Sequence, residues 1–203
     1  MKKHNFKKVF SVFGKYYQPI PLETFGKDPY KTLVSTLLSS RTNDNITLKS
    51  SKRLFKKAAN IHKLNLLSLN EIQKLIYPVG FYKTKTIQIK KLAEIIIRDF
   101  SGKIPKTREE LIKLPGVGRK TANLVLNRAF SIPSISVDTH VHKISNLLGW
   151  VKTNTPEKTE KELAKILPKK YWSDINRFFV SIGRKYKSKN KLISFLKNEG
   201  LIK

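Results

Sequence analysis

The sequence predicts an all-α fold. Apolar residues recur at the three-and-four spacing of an amphipathic helix almost throughout the 203 residues. No alternating run finds a partner strand. Ser134-Ile135-Ser136-Val137 alternates, but a helix cap at Asp138 follows at once, so it reads as a connector. A hydrophobic share of 39%, with 10% aromatic, is enough to build a core.

The elements follow in order. Asp28-Pro29 is an N-cap with proline in the first turn, and Leu33, Val34, Leu37 and Leu38 then share one face. Asn43 or Asp44 caps a helix through Ile46, Leu54 and Phe55. Glu71–Ile76 is a short helix stopped near Pro78-Val79-Gly80. A longer one carries Ile87, Ile89, Leu92, Ile95, Ile96 and Phe100 and ends at Gly102. Thr107-Arg108-Glu109-Glu110 is a capping box leading into a helix over 108–113. A second helix over about 119–130 follows, and Asp138 caps Val141–Leu148, with Gly149 as the stop. Thr155-Pro156 opens a helix through Leu163–Leu167; Tyr171–Ile182 and Leu192–Leu196 complete about ten helices.

Charge points outward. The chain carries 42 Lys+Arg against 14 Asp+Glu, a net +28, which favours a polyanionic partner, most commonly nucleic acid. Only eight of the basic residues are arginine, and scattered lysines also suit a plain solvated surface. No cysteine is present, which excludes a disulfide framework, a thiolate zinc site and a cysteine nucleophile. The longest apolar runs, such as Ile95-Ile96-Ile97, fall far short of the roughly 20 residues of a membrane span. The basic start MKKHNFKKVFSVFGKYY has an apolar stretch broken by Gly14 and Lys15, unlike a cleaved signal peptide. A cytoplasmic location is expected.

The chemistry concentrates in Leu114-Pro115-Gly116-Val117-Gly118-Arg119-Lys120-Thr121. A short connection of Pro, Gly, Val and Gly between two helices is a helical hairpin, whose glycines permit positive φ and close approach. The second helix presents its N-terminal amides and positive dipole end there, which suits a phosphate without reading sequence. An ordinary tight turn between helices is the plainer alternative.

Lys120, in the first turn, adds a cation where the dipole disfavours one. It reads either as a phosphate contact or as an amine whose protonated form is disfavoured and which acts as a nucleophile. Asp138 starts the next helix, eighteen positions on. Its ordinary role is an N-cap, but a carboxylate there also suits stabilisation of an oxocarbenium-like transition state at a sugar carbon.

LPGVGRKTANLVLNRAF followed by SVDTHVHKI resembles endonuclease III of the helix-hairpin-helix DNA glycosylases. The likeness extends through Leu37-Leu38-Ser39-Ser40 and Gly80-Phe81-Tyr82-Lys83-Thr84-Lys85, over roughly residues 25–185. It implies two helical domains flanking a DNA cleft. One is a six-helix barrel over 21–133 that holds the hairpin; the other is built from 1–20 and 134–203. It further implies Lys120 as Schiff-base nucleophile and Asp138 as catalytic aspartate. The activity implied is excision of oxidised pyrimidines from double-stranded DNA, with a lyase step at abasic sites, by a monomeric enzyme associated with the nucleoid. Leu114, Pro115, Gly116, Val117, Gly118, Arg119 and Thr121 would grip DNA.

Two loops would fill the gap left by a flipped nucleotide, one carrying Arg41 and the other Phe81 and Tyr82, with Phe81 as an apolar wedge. Phe81 is otherwise a half-buried loop aromatic. Arg41 departs from the glutamine usual in bacterial members. His140 and His142 read as structural or phosphate-proximal. The family usually holds a [4Fe–4S] cluster on four cysteines after a Gly-Arg-Tyr-like segment; here Gly183-Arg184-Lys185-Tyr186-Lys187 is followed by lysines and a short helix, so no iron–sulfur cofactor is expected. A monofunctional mismatch or alkylated-base glycosylase and a non-catalytic hairpin module are the alternatives; Lys120 speaks against the first, and Lys120 together with Asp138 against the second.

Overall fold

The computed structural model describes residues 4–203, which contain twelve α-helices and no strand. They divide into two compact units. One takes the chain up to Ile20 together with Pro133–Lys203, and the other takes Pro21–Ile132.

The chain starts with α1 (Phe6–Lys15), then enters the central unit through a 3₁₀ turn, Pro21–Phe25. That unit holds α2 (Pro29–Ser39), α3 (Asp44–Lys57), α4 (Ile61–Leu66), α5 (Leu69–Ile76), α6 (Tyr82–Phe100), α7 (Arg108–Leu111) and α8 (Arg119–Phe130). Helix α2 packs on α3 and α8, while α6 packs on α4 and α5. Leu33, Leu38, Leu54, Ile89, Leu92 and Ile96 are fully buried between them, each adding about 1.5–3 kcal/mol of transfer free energy.

Starts are written in side chains. Asp28 accepts from the Lys31 amide at 3.0 Å and Asn43 from the Asn45 amide at 2.9 Å. The Thr107 hydroxyl accepts from the Glu110 amide and donates to its carboxylate. A reciprocal capping box at Ser68 and Glu71 begins α5 at Leu69, two residues ahead of the start expected at Glu71. Helix α4 is not among the elements that periodicity predicts, because six residues are too few to show a period; Asn60 caps it.

The other unit adds α9 (Thr139–Leu147), α10 (Pro156–Ile166), α11 (Trp172–Lys185) and α12 (Lys189–Asn198) to α1. Its core is aromatic. Phe10 stacks on Tyr171 with centroids 4.2 Å apart, and Phe13 meets Phe179 edge-on at 5.0 Å. The Trp150 indole donates to Asn5, which in turn donates to the Leu201 carbonyl, tying α1 to the far end of the chain. Residues 134–137 form the irregular connector expected of them. Among the described residues no helix is long and apolar enough to cross a membrane.

Candidate active site

The hairpin runs from α7 to α8. Leu114 and Val117 are buried, and the Val117 amide closes the turn on the Leu114 carbonyl at 3.1 Å. Their side chains therefore anchor the turn in the core, which leaves contact with a ligand to the backbone and to Gly116, Gly118, Arg119 and Lys120, all exposed.

The two glycines divide the work. Gly116 has φ +75°, and a Cβ there would lie 2.8 Å from Gln88 Oε1 and 3.1 Å from a Leu37 methyl. It is required both by conformation and by the close approach of the turn to α6 and α2. Gly118 has φ −95° and does not use the positive φ that glycine permits. It is the N-cap of α8, and a Cβ there would meet nothing within 4 Å. A cap without a side chain keeps the helix entrance open above amides that have no intrahelical partner.

Lys120 is the second residue of α8 and Thr121 the third, half-buried. Lys120 belongs to the central unit and Asp138 to the other. Asp138 is the N-cap of α9. Its Oδ1 accepts from the amides of His140 and Val141, both at 2.9 Å, so the cap fixes the carboxylate through one oxygen and leaves Oδ2 uncommitted by it.

The structure joins the two predicted loops. The Gly80 amide donates to Thr42 Oγ1 at 3.1 Å, and the Arg41 guanidinium lies 5.5 Å from the centroid of the Phe81 ring. Phe81 is 61% exposed and has left-handed backbone, φ 57°, immediately before α6. Arg41 is also left-handed, φ 50°, and exposed. Tyr82 behaves differently from a loop residue: it is the first residue of α6, half-buried, with its ring edge-on to Tyr77 at 5.4 Å. Beneath the loops lies Lys85, a residue to which the sequence motifs assign no role. It is 5% exposed and donates to the carbonyls of Leu38 and Ser40 and to Thr42 Oγ1. Burial alone pushes its ammonium pKa down to about 8. Its signal in the sequence is a charge on the buried stripe that continues through Ile89, Leu92 and Ile96.

Residues 34–169 match the model of the HhH-GPD superfamily of base excision DNA repair proteins. Endonuclease III of Thermotoga maritima is 47% identical over 174 residues, covering 84% of this chain and 82% of that protein. The chain belongs to the endonuclease III family. A solved non-covalent endonuclease III–DNA complex superposes with a TM-score of 0.81 at 35% identity, covering 90% of this chain and 84% of that one. A trapped endonuclease III–DNA covalent intermediate gives 0.77 at 34%, with the same coverage.

As an endonuclease III relative, the chain departs from type after Gly183. An iron–sulfur cluster is held by thiolates, and the 203 residues supply none. Among the described residues no group of three or more His, Asp or Glu could hold a metal ion. The donor set does not fit the cluster. After Gly183 the chain continues into α12, which buries Leu192, Phe195 and Leu196, with Tyr186 stacked on Phe195 at 4.3 Å and the Tyr16 hydroxyl donating to Glu199 at 2.7 Å. All four lysines there, Lys185, Lys187, Lys189 and Lys191, are exposed, and Lys185 lies over the Tyr16 ring at 4.8 Å. His142 Nδ1 meets Thr159 Oγ1 at 2.6 Å, a structural contact.

Proposed function

We propose that this chain is a bifunctional DNA glycosylase and abasic-site lyase that removes oxidised pyrimidines from duplex DNA. The reading rests above all on a lysine in the first turn of a helix whose cap carries no side chain, within the residues 34–169 that match the family model. Hairpin amides with Arg119 hold a phosphate without reading sequence, which leaves the Lys120 amine for the chemistry. The damaged nucleotide is flipped out, at a cost of a few kcal/mol that is smallest for a poorly stacked lesion. The Lys120 amine attacks the sugar C1′ and the C1′–N bond breaks, the departing base taking up a proton. A proton passes from the amine to O4′ as the C1′–O4′ bond breaks and the sugar ring opens to the imine. β-Elimination then removes a proton from C2′ as the bond from C3′ to its phosphate oxygen breaks, which nicks the strand, and water hydrolyses the imine to release Lys120. The Asp138 carboxylate, fixed by its cap, stabilises positive charge at the sugar.

Arg41 and Phe81 occupy the gap in the duplex, Phe81 as the apolar wedge. The enzyme works as a monomer on nucleoid DNA and without an iron–sulfur cluster, with α12 closing the domain where the cluster loop would stand.

Borohydride trapping tests this. With duplex bearing an abasic site or thymine glycol, wild type forms a covalent adduct and Lys120→Gln forms none. An adduct of equal yield in Lys120→Gln, or none with folded wild type, overturns the assignment.

A further inference from the structure

Lys85 has no part in the chemistry above, yet a cation buried to this degree among uncharged partners is costly unless its donors are met. They are met completely. An ammonium has three N–H donors, and Lys85 directs them at the Leu38 carbonyl, the Ser40 carbonyl and Thr42 Oγ1. The two carbonyls belong to the last turn and the C-cap of α2, where carbonyls lack intrahelical partners and the dipole end is negative. Lys85 is thus a cationic cap on α2 delivered from α6.

The third acceptor makes it more than a cap. Thr42 Oγ1 also accepts from the Gly80 amide at 3.1 Å and donates to the Ser40 carbonyl at 3.1 Å, so its one proton and two lone pairs are all used. The loop before α6 is held to the loop after α2 through this one hydroxyl. The approach is tight, since a Cβ on Gly80 would lie 2.5 Å from the Arg41 carbonyl oxygen. Arg41 and Phe81, the residues between these anchor points, both hold left-handed backbone that persists only where neighbours over-determine it. The Phe81 carbonyl is itself bonded by the Lys85 amide at 3.0 Å.

We infer that Lys85 is a positioning residue, a buried latch that locks Arg41 and Phe81 into one preformed wedge before DNA is met. The inference rests on the proposed role of the two loops. It separates two functions at the start of α6: Phe81, its N-cap, is exposed, and Lys85 aims inward to hold the opposite loop. Preforming the pair removes the ordering cost from the step at which the flipped nucleotide is replaced.

Binding to duplex with a reduced, uncleavable abasic site and to undamaged duplex is measured for wild type, Phe81→Ala, Lys85→Met, the double variant and Thr42→Val. Lys85→Met is expected to weaken abasic binding about tenfold, in the range of coupling within one hydrogen-bond network. Its affinity for undamaged duplex stays at the wild-type level, and so does its borohydride-trapping rate at saturating cleavable abasic DNA. The double variant is no weaker than Phe81→Ala alone, because a latch has nothing left to position. Additive losses, or an equal loss on undamaged duplex, overturn the latch. If Lys85→Met does not fold, Thr42→Val, which keeps the ammonium and removes the shared hydroxyl, must show the same selective loss; wild-type binding by Thr42→Val overturns it. If Phe81→Ala alone binds abasic DNA normally, it is the wedge reading of the loops that fails.

Discussion

The imidazole of His140 fills the place where Gly183 has no side chain: a Cβ on Gly183 would collide with His140 Nδ1. Gly183 is buried in α11 and His140 is the second residue of α9, so the missing methyl sets how closely these helices pack. The amide of the same histidine donates to Asp138 Oδ1. One residue, His140, thus packs its ring against Gly183 and bonds the Asp138 carboxylate through its amide.

Gly183→Ala is expected to destabilise the protein by about 1–3 kcal/mol, the usual cost of overpacking a filled site. Helix propensity alone would act the other way by up to about 1 kcal/mol, so the sign of the change measured by denaturant unfolding is diagnostic. A gain in stability would show that the imidazole moves aside freely.

Asp138 combines a cap with a charge, and substitution separates them. Asparagine caps a helix about as well as aspartate, whereas alanine costs about 1 kcal/mol. Asp138→Asn should melt with wild type yet lose most of its single-turnover base excision. Asp138→Ala should lose both stability and excision. Equal excision by wild type and Asp138→Asn would leave the residue as a cap alone.

How far the sequence carries can be read at particular residues. The hairpin is legible because Pro115, Gly116 and Gly118 leave a helical pair few ways to turn, and Asp138 because N-caps are local. Periodicity locates α6 from its apolar stripe but says nothing of Lys85, whose partners lie more than forty residues away on another helix and its following loop. The packing of His140 against Gly183 is likewise non-local, and spacing within one helix has no access to it. Gly118 is legible as a glycine but not as an N-cap at negative φ, since glycine suits either conformation.

Lys85 also sets a pH dependence. Its pKa is lowered from 10.5 to about 8 in the fold, with burial as the cause. Between those values the unfolded chain binds a proton that the folded chain has released, so the residue's contribution to stability rises with pH across that window. The unfolding free energy of wild type minus that of Lys85→Met should therefore climb from pH 8 to 10.5. The local effect has the opposite direction. A neutral amine has two N–H donors for three acceptors, so amide exchange at 40–42 and 80–82, corrected for its intrinsic rate, should speed up above about pH 8. A difference in stability that stays flat, with unchanged exchange, would contradict both.

The lysines after Gly183 make the last prediction. Deleting residues 188–203 would strip Leu192, Phe195 and Leu196 from the core and confuse folding with binding. Lys187→Gln, Lys189→Gln and Lys191→Gln together leave that core intact, because all three side chains are exposed. Lys185 is left in place because it covers the Tyr16 ring. If these lysines meet phosphates as the cluster loop would have, every phosphate that is no longer neutralised makes the slope of log affinity against log salt shallower by about 0.9. Melting temperature should stay close to that of wild type, since exposed substitutions of this kind stay within about 0.5 kcal/mol. An unchanged salt slope would confine α12 to closing the domain and place the grip on DNA elsewhere on the molecule.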